Sequence, residues 1–269
     1  MESKIDQHKV NFQRIIAFEL PKSIALLEQL ISVRNLRIEQ WNDGREEDLS
    51  KEAFAISTGC LVSIQDIFSA LYKHLHKHDE YKYSIHTFPR STNALVRLAL
   101  ENLALFQWMD TEDQLRSTHS KTFAFLIYNA EEGEKYYRSL GDIINSIRLK
   151  EQLDFYVSMG LKYGYLTQDP EGKKSYLKSA FAKIPNATEL CTSVKTLDDF
   201  DEDQRSEILS NYPGMGNAAF LYRFFSGHVH GLQWVTKFES NVGLPTKQEI
   251  IYWLPNMALG TVIAYLKAL

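Results

Sequence analysis

The chain lacks nearly every short signature that would name a common chemistry. Its 269 residues contain no Gly-x4-Gly-Lys-Ser/Thr phosphate loop, no Gly-x-Gly-x-x-Gly after a strand, no Gly-x-Ser-x-Gly and no His-Glu-x-x-His. The usual nucleotide-binding, serine-hydrolase and zinc-protease readings are therefore excluded. Cysteine is scarce. Cys60 and Cys191 are far apart, each in an apolar helical context, so they are expected to be buried free thiols in a reducing compartment. No basic excess exists: the formal net charge is −4, so any nucleic-acid binding must use a local patch. Residues 1–8 are polar and carry no leader pattern, and no long apolar run occurs. No membrane span and a cytoplasmic location are expected. Strand patterns, internal repeats and low-complexity tracts are also missing.

What is present reads with a period of 3.6. Ile15, Phe18, Ile24, Leu27 and Ile31 recur at helical spacing from Val10 to Trp41, with Pro21 expected to kink or split the segment. Asn42 to Gly44 ends it. Ser50 caps a helix to His78, and Pro89 opens one to Met109. Asp110 or Thr111 caps a helix ending at Leu140–Gly141, and Asp142 opens another to Leu166. A turn at 169–172, a short helix at 173–183, an acidic helix start at 197–205 and breakers at 211–216 follow. A helix over 217–238 and a last one from Thr246 complete the chain. The expectation is an all-α bundle of nine or ten helices forming one domain over 1–269. Residues 111–213 are open between an insertion, a lid and a separate helical subdomain.

The richest chemistry lies in the string RFFSGHVH at residues 223–230. Arg223 and His230 are seven apart, almost two turns, and fall on one stripe with Ser226 between them. His228 is five residues from Arg223, roughly 140° around the helix, and faces elsewhere. The neighbours Phe220, Leu221, Phe224, Phe225, Val229 and Leu232 are apolar. An imidazole moves a proton near neutral pH, and a guanidinium holds charge developing on phosphorus, which together suit phosphodiester cleavage. The plain alternative is a polar seam in which Arg223, Ser226 and His230 satisfy one another or a buried carboxylate.

The helix from Pro89 is apolar over most of its length, yet Arg90, Arg97 and Glu101 share one stripe. Arg97 and Glu101 can pair along the helix. If this helix packs beside residues 223–230, Glu101 can hold Arg223 or His230. Trp234, one turn after His230, is either a core residue or a platform for a base. His74 and His78 are one turn apart, but no third ligand sits at suitable spacing, so a solvated helix end is the expectation and no metal site is assigned. The acidic run 198–203 lacks the glycine and final glutamate of a calcium loop.

On these residues the chain resembles the HEPN superfamily, whose signature is Arg, four to six residues, then His on a late helix of a compact helical bundle. Both Arg223–His228 and Arg223–His230 fit that pattern. The resemblance spans residues 89–109 and 216–235. It implies a metal-independent ribonuclease without a cofactor, a toxin or an antiviral defence effector. His230 would be the general acid/base and Arg223 the charge stabiliser. Ser226, Glu101, Arg97 and His228 would support them, and Arg90 and Trp234 would contact RNA. It also implies a homodimer with two motifs facing one cleft, and an antitoxin or defence-system partner. Phe224 stands where active members often carry Asn, Asp or His. The alternative is a non-catalytic HEPN-like module that binds a nucleotide, a nucleic acid or a partner protein. A metal-dependent helical hydrolase is a third reading, requiring carboxylates converging near His228 and His230.

Overall fold

The structure is a computed structural model. It describes residues 10–40, 49–76, 89–109, 115–164, 166–168, 175–177, 190–191, 221–223, 225–226 and 247–267. The elements are a π turn Ile15–Glu19, then α1 Leu20–Gln40, α2 Leu49–His76, α3 Pro89–Met109, α4 Leu115–Ser139 and α5 Ile143–Lys162. Two short strands, β1 Leu166–Gln168 and β2 Ser175–Leu177, precede α6, Lys247–Lys267. The class is all-α. Seven helical elements are defined among the described residues, against the nine or ten expected. The expected segment 197–205 lies outside the described residues, as does most of 217–238, of which residues 221–223 and 225–226 are helical.

The chain forms two compact units. One comprises Met1–Gln40, Ser57–Trp108 and Asn186–Leu269, the other Trp41–Ile56 and Met109–Pro185.

The first unit holds the larger core. Leu20, Leu27 and Ile31 of α1 face inward at spacings of seven and four. Leu61, Ile64, Phe68 and Leu71 of α2 do so at three, four and three, and Val96, Leu100 and Leu103 of α3 at four and three. These are the spacings that put side chains on one helix face. Leu259, Val262, Ile263 and Leu266 of α6 join the same cluster. The stretch Lys51–Lys73 of α2 is long and apolar enough to cross a bilayer, but here its inward face is core. The segment is not split at Pro21: residues 10–40 are helical throughout, with a π turn before the proline whose last bond runs from the Leu20 N–H to the Ile15 carbonyl. Proline has no N–H, and its ring strikes the carbonyl four residues back. A widened turn just before it makes room. Lys267 of α6 ties back to Glu19 of that turn at 3.0 Å.

In the second unit α4 and α5 form an antiparallel hairpin joined by three residues, Leu140 to Asp142. Gly141 has φ 72°, the left-handed conformation a helix end favours and glycine adopts at low cost. Its N–H donates to the Arg138 carbonyl, and the Asp142 N–H donates to the Tyr137 carbonyl. Asp142 then caps α5: its carboxylate accepts from the Asn145 N–H at 3.1 Å and from the Asn145 amide at 2.7 Å. These hydrogen bonds hold the Asp142 carboxyl below its ordinary range. Glu134, buried in α4, accepts from Arg138 and from Ser146 of α5. Close approach of the helices is permitted at Gly133, where an added Cβ would lie 2.9 Å from a Leu149 methyl.

Two sequence expectations are corrected here. α5 stops at Lys162 rather than Leu166, with Gly164 at φ 71° turning the chain. Leu166 then starts a strand and packs on Gly160, where a Cβ would lie 2.7 Å from its Cγ. The expected helix at 173–183 gives way to β2, paired antiparallel with β1 in the register Leu166↔Leu177, Thr167↔Tyr176 and Gln168↔Ser175. Tyr and Thr suit a pleated ladder, but three residues per strand are too few to register as a period of two.

Candidate functional site

Residues 221–223 and 225–226 are the described part of the motif. Leu221 and Phe225, one turn apart, are fully buried in the first unit's core. Tyr222 is buried too, whereas Arg223 is exposed and Ser226 half-buried. Apolar neighbours seat the segment, and the cation is left facing solvent.

Among the described residues, the side chain of Arg97 bonds the segment to α3. Arg97 pairs with Glu101 one turn on, Nε to Oε1 at 2.8 Å, and both side chains are only about a fifth exposed (21% and 23%). The same guanidinium donates through Nη2 to the Tyr222 hydroxyl at 3.2 Å, with its carbon 5.0 Å from the centre of the Tyr222 ring. Charge-assisted bonds of this kind contribute about 1.5–3 kcal/mol, and stripping one partner from a shielded charge costs at least as much. Cys191 completes the cluster. It is buried, and its thiol is pushed up to about 12, first by burial and then by the Glu101 charge, against a lowering by Arg97. Such a thiol stays neutral and unreactive.

The sequence-selected residues distribute as follows. Arg97 and Glu101 pair along α3 as the spacing predicts. Arg97 and Tyr222 form a bridge from α3 to the motif segment, and the expected link from Glu101 to His230 falls on a residue outside the described ones. Arg90 is a backbone position of α3 whose side chain is not described. His228, His230 and Trp234 lie outside the described residues, as does His78. Among the described residues no group of three or more His, Cys, Asp or Glu side chains could hold a metal ion.

Sequence reasoning passed over Tyr222 because it is off the Arg223 stripe. It also passed over Arg34 of α1, which donates to Thr58 at 2.9 Å and to Ser57, and lies over the Phe106 ring at 5.5 Å. The signal for that cluster was Ser57 and Thr58 on the core side of α2, one turn before Leu61. Polar groups so placed require partners. Arg34 also lowers the nearby Cys60 thiol, but burial prevails and pushes it up to about 12. Both cysteines are free and buried.

The described part of the site thus offers an exposed guanidinium on a firmly seated backbone, a half-buried hydroxyl, and a satisfied Arg–Glu–Tyr seam behind them. That arrangement can bind an anion at Arg223. Comparison with protein-family models, with curated proteins and with solved structures yields no match.

Proposed function

We propose that this chain is a HEPN-like, metal-independent ribonuclease acting in the cytoplasm as a toxin or antiviral defence effector, on a helical domain of nine or ten helices. His230 serves as general acid/base and Arg223 stabilises the transition state. The ribose 2′-OH attacks the adjacent phosphorus and its proton passes to a base. The bond to the 5′-oxygen breaks, that oxygen takes a proton, and a 2′,3′-cyclic phosphate remains. Ser226 assists at the phosphate, His228 supports the pair from another face of the helix, and Arg90 and Trp234 hold the RNA. Arg97 and Glu101 position the motif segment through Tyr222. No cofactor is required. A homodimer with paired motifs, under an antitoxin or defence-system partner, completes the reading.

The observation supporting it is the exposure of Arg223 on a segment anchored by Leu221, Phe225 and the Tyr222–Arg97 bond. A solvent-facing guanidinium on an anchored backbone suits a phosphate ligand. One observation favours a second reading, a non-catalytic binding or assembly module: Arg97 is already engaged by Glu101 and Tyr222, as in a seam that sets helix packing.

The two are separated by incubating a mixed tRNA and mRNA pool with wild type, Arg223→Ala and His230→Ala in EDTA, with analysis of the 3′ ends. The nuclease gives EDTA-resistant cleavage with cyclic-phosphate ends, reduced at least about a hundredfold in both variants. Absence of cleavage by the wild type favours the module, and cleavage surviving in both variants removes the assigned site.

A further inference from the structure

The outward face of α5 is unusual for a free surface. Ile143 is 69% exposed, Ile144 81%, Ile147 53% and Phe155 56%. The opposite face, with Ser146, Leu149, Leu153, Tyr156 and Gly160, is half-buried or buried. At 100° per residue, Ile144, Ile147, Arg148, Glu151 and Phe155 fall on one stripe. Contiguous exposed apolar side chains rimmed by charge mark an interaction surface more often than bare solvent contact.

The charge order on that stripe says what fits it. Arg148 and Glu151 take part in none of the ion pairs formed among the described residues. Set a second α5 antiparallel on the first, with a two-fold axis level with Leu149 and Lys150. Arg148 of each copy then meets Glu151 of the other, and Ile144 of each meets Phe155 of the other. Two apolar contacts flank two opposite-charge contacts, the self-complementarity an isologous interface demands. A parallel pairing sets Arg148 on Arg148 and Glu151 on Glu151, which repels. An anionic lipid surface is disfavoured by Glu151 and Asp154 on the same side.

We propose that a second copy of this chain docks on the outward face of α5, antiparallel, with Arg148 opposite Glu151. The inference stands apart from the nuclease reading, because it uses residues of the other compact unit. It also names a different surface from the paired motifs of that reading.

The test is sedimentation of the full chain over a range of concentrations up to about 100 μM, a range that reveals even weak dimers. The wild type and Ile144→Glu, Arg148→Glu, Glu151→Arg and the double reversal Arg148→Glu/Glu151→Arg are compared, with circular dichroism to establish folding. The wild type is expected to dimerise. Ile144→Glu and each single reversal weaken the dimer by about tenfold or more, and the double reversal restores it to within roughly threefold. A wild type that stays monomeric overturns the proposal. So does a dimer indifferent to Ile144→Glu and both reversals, which would place the contact elsewhere. A double reversal no tighter than either single one overturns the antiparallel register.

Discussion

Arg97 and Glu101 are charged and yet mostly shielded, each bonded to a protein partner. Ile144, on α5, is purely hydrocarbon and mostly bare. Both placements invert the usual preference, and they do so in different units. In the first unit the inversion is compensated within the chain, because the guanidinium is bonded by Glu101 and Tyr222. In the second no described residue covers the isoleucines. An inverted residue that is already satisfied holds helices in place, whereas one left uncovered is where the proposed second copy would dock. The contrast teaches that burial alone does not separate architecture from function; the presence of a partner does.

Core truncation breaks the comparison most sharply. Phe68→Ala, at a fully buried ring in the first unit, is expected to cost about 3–5 kcal/mol. Ile144→Ala, at an exposed site, should stay within about 0.5 kcal/mol in dilute solution. Urea unfolding of the two variants at low protein concentration checks this, and an Ile144→Ala loss near that of Phe68→Ala would show that the α5 face is covered within the monomer.

The shielded pair gives the next largest effect. Glu101→Ala leaves Arg97 without its carboxylate and should cost about 1–3 kcal/mol, while Tyr222→Phe removes one hydrogen bond and should cost about 1 kcal/mol. A double-mutant cycle between Arg97→Met and Tyr222→Phe should show coupling, since the two side chains touch. Additivity in denaturant titrations would mean that the seam does not join α3 to the motif segment.

pH sharpens the contrast without any substitution. In the first unit the thiols of Cys60 and Cys191 are raised to about 12. Their ordinary value is about 8.5, so the unfolded chain ionises first and stability falls as pH rises above that value. In the second unit the Asp142 carboxyl is lowered. Its contribution is complete above the ordinary value of about 3.9 and is lost as pH falls through the lower folded-state value. Thermal melts, with hydrogen exchange to locate the loosened segments, should find the first unit weakened at alkaline pH and the α4–α5 hairpin at acid pH. Cys60→Ser and Cys191→Ser should flatten the alkaline slope, and Asp142→Asn the acid one.

Several of these features are legible from residues alone. The Leu140–Gly141–Asp142 string marks a helix end and a helix start, because only glycine takes the left-handed turn cheaply and a carboxylate accepts from the third N–H. The Arg97–Glu101 pair follows from spacing four. Other features need coordinates. The hairpin of β1 and β2 is hidden by its brevity, and Ser175 to Leu177 read as part of a helix because no alternation can show in three residues. Tyr222 is invisible as a fastener, since its role depends on which face of α3 lies beside it. The outward isoleucines read as core positions in any periodicity argument, because a helix pattern reports which residues share a stripe and says nothing about whether that stripe is covered.

The link between α4 and α5 carries a consequence for motion. Asp142 closes the last turn of α4 with its N–H and the first turn of α5 with its carboxylate. A backbone shift at Asp142 therefore loosens a bond at each helix end. The two ends are coupled through one residue, and a tug on one helix is passed in part to the other at the tip of the hairpin.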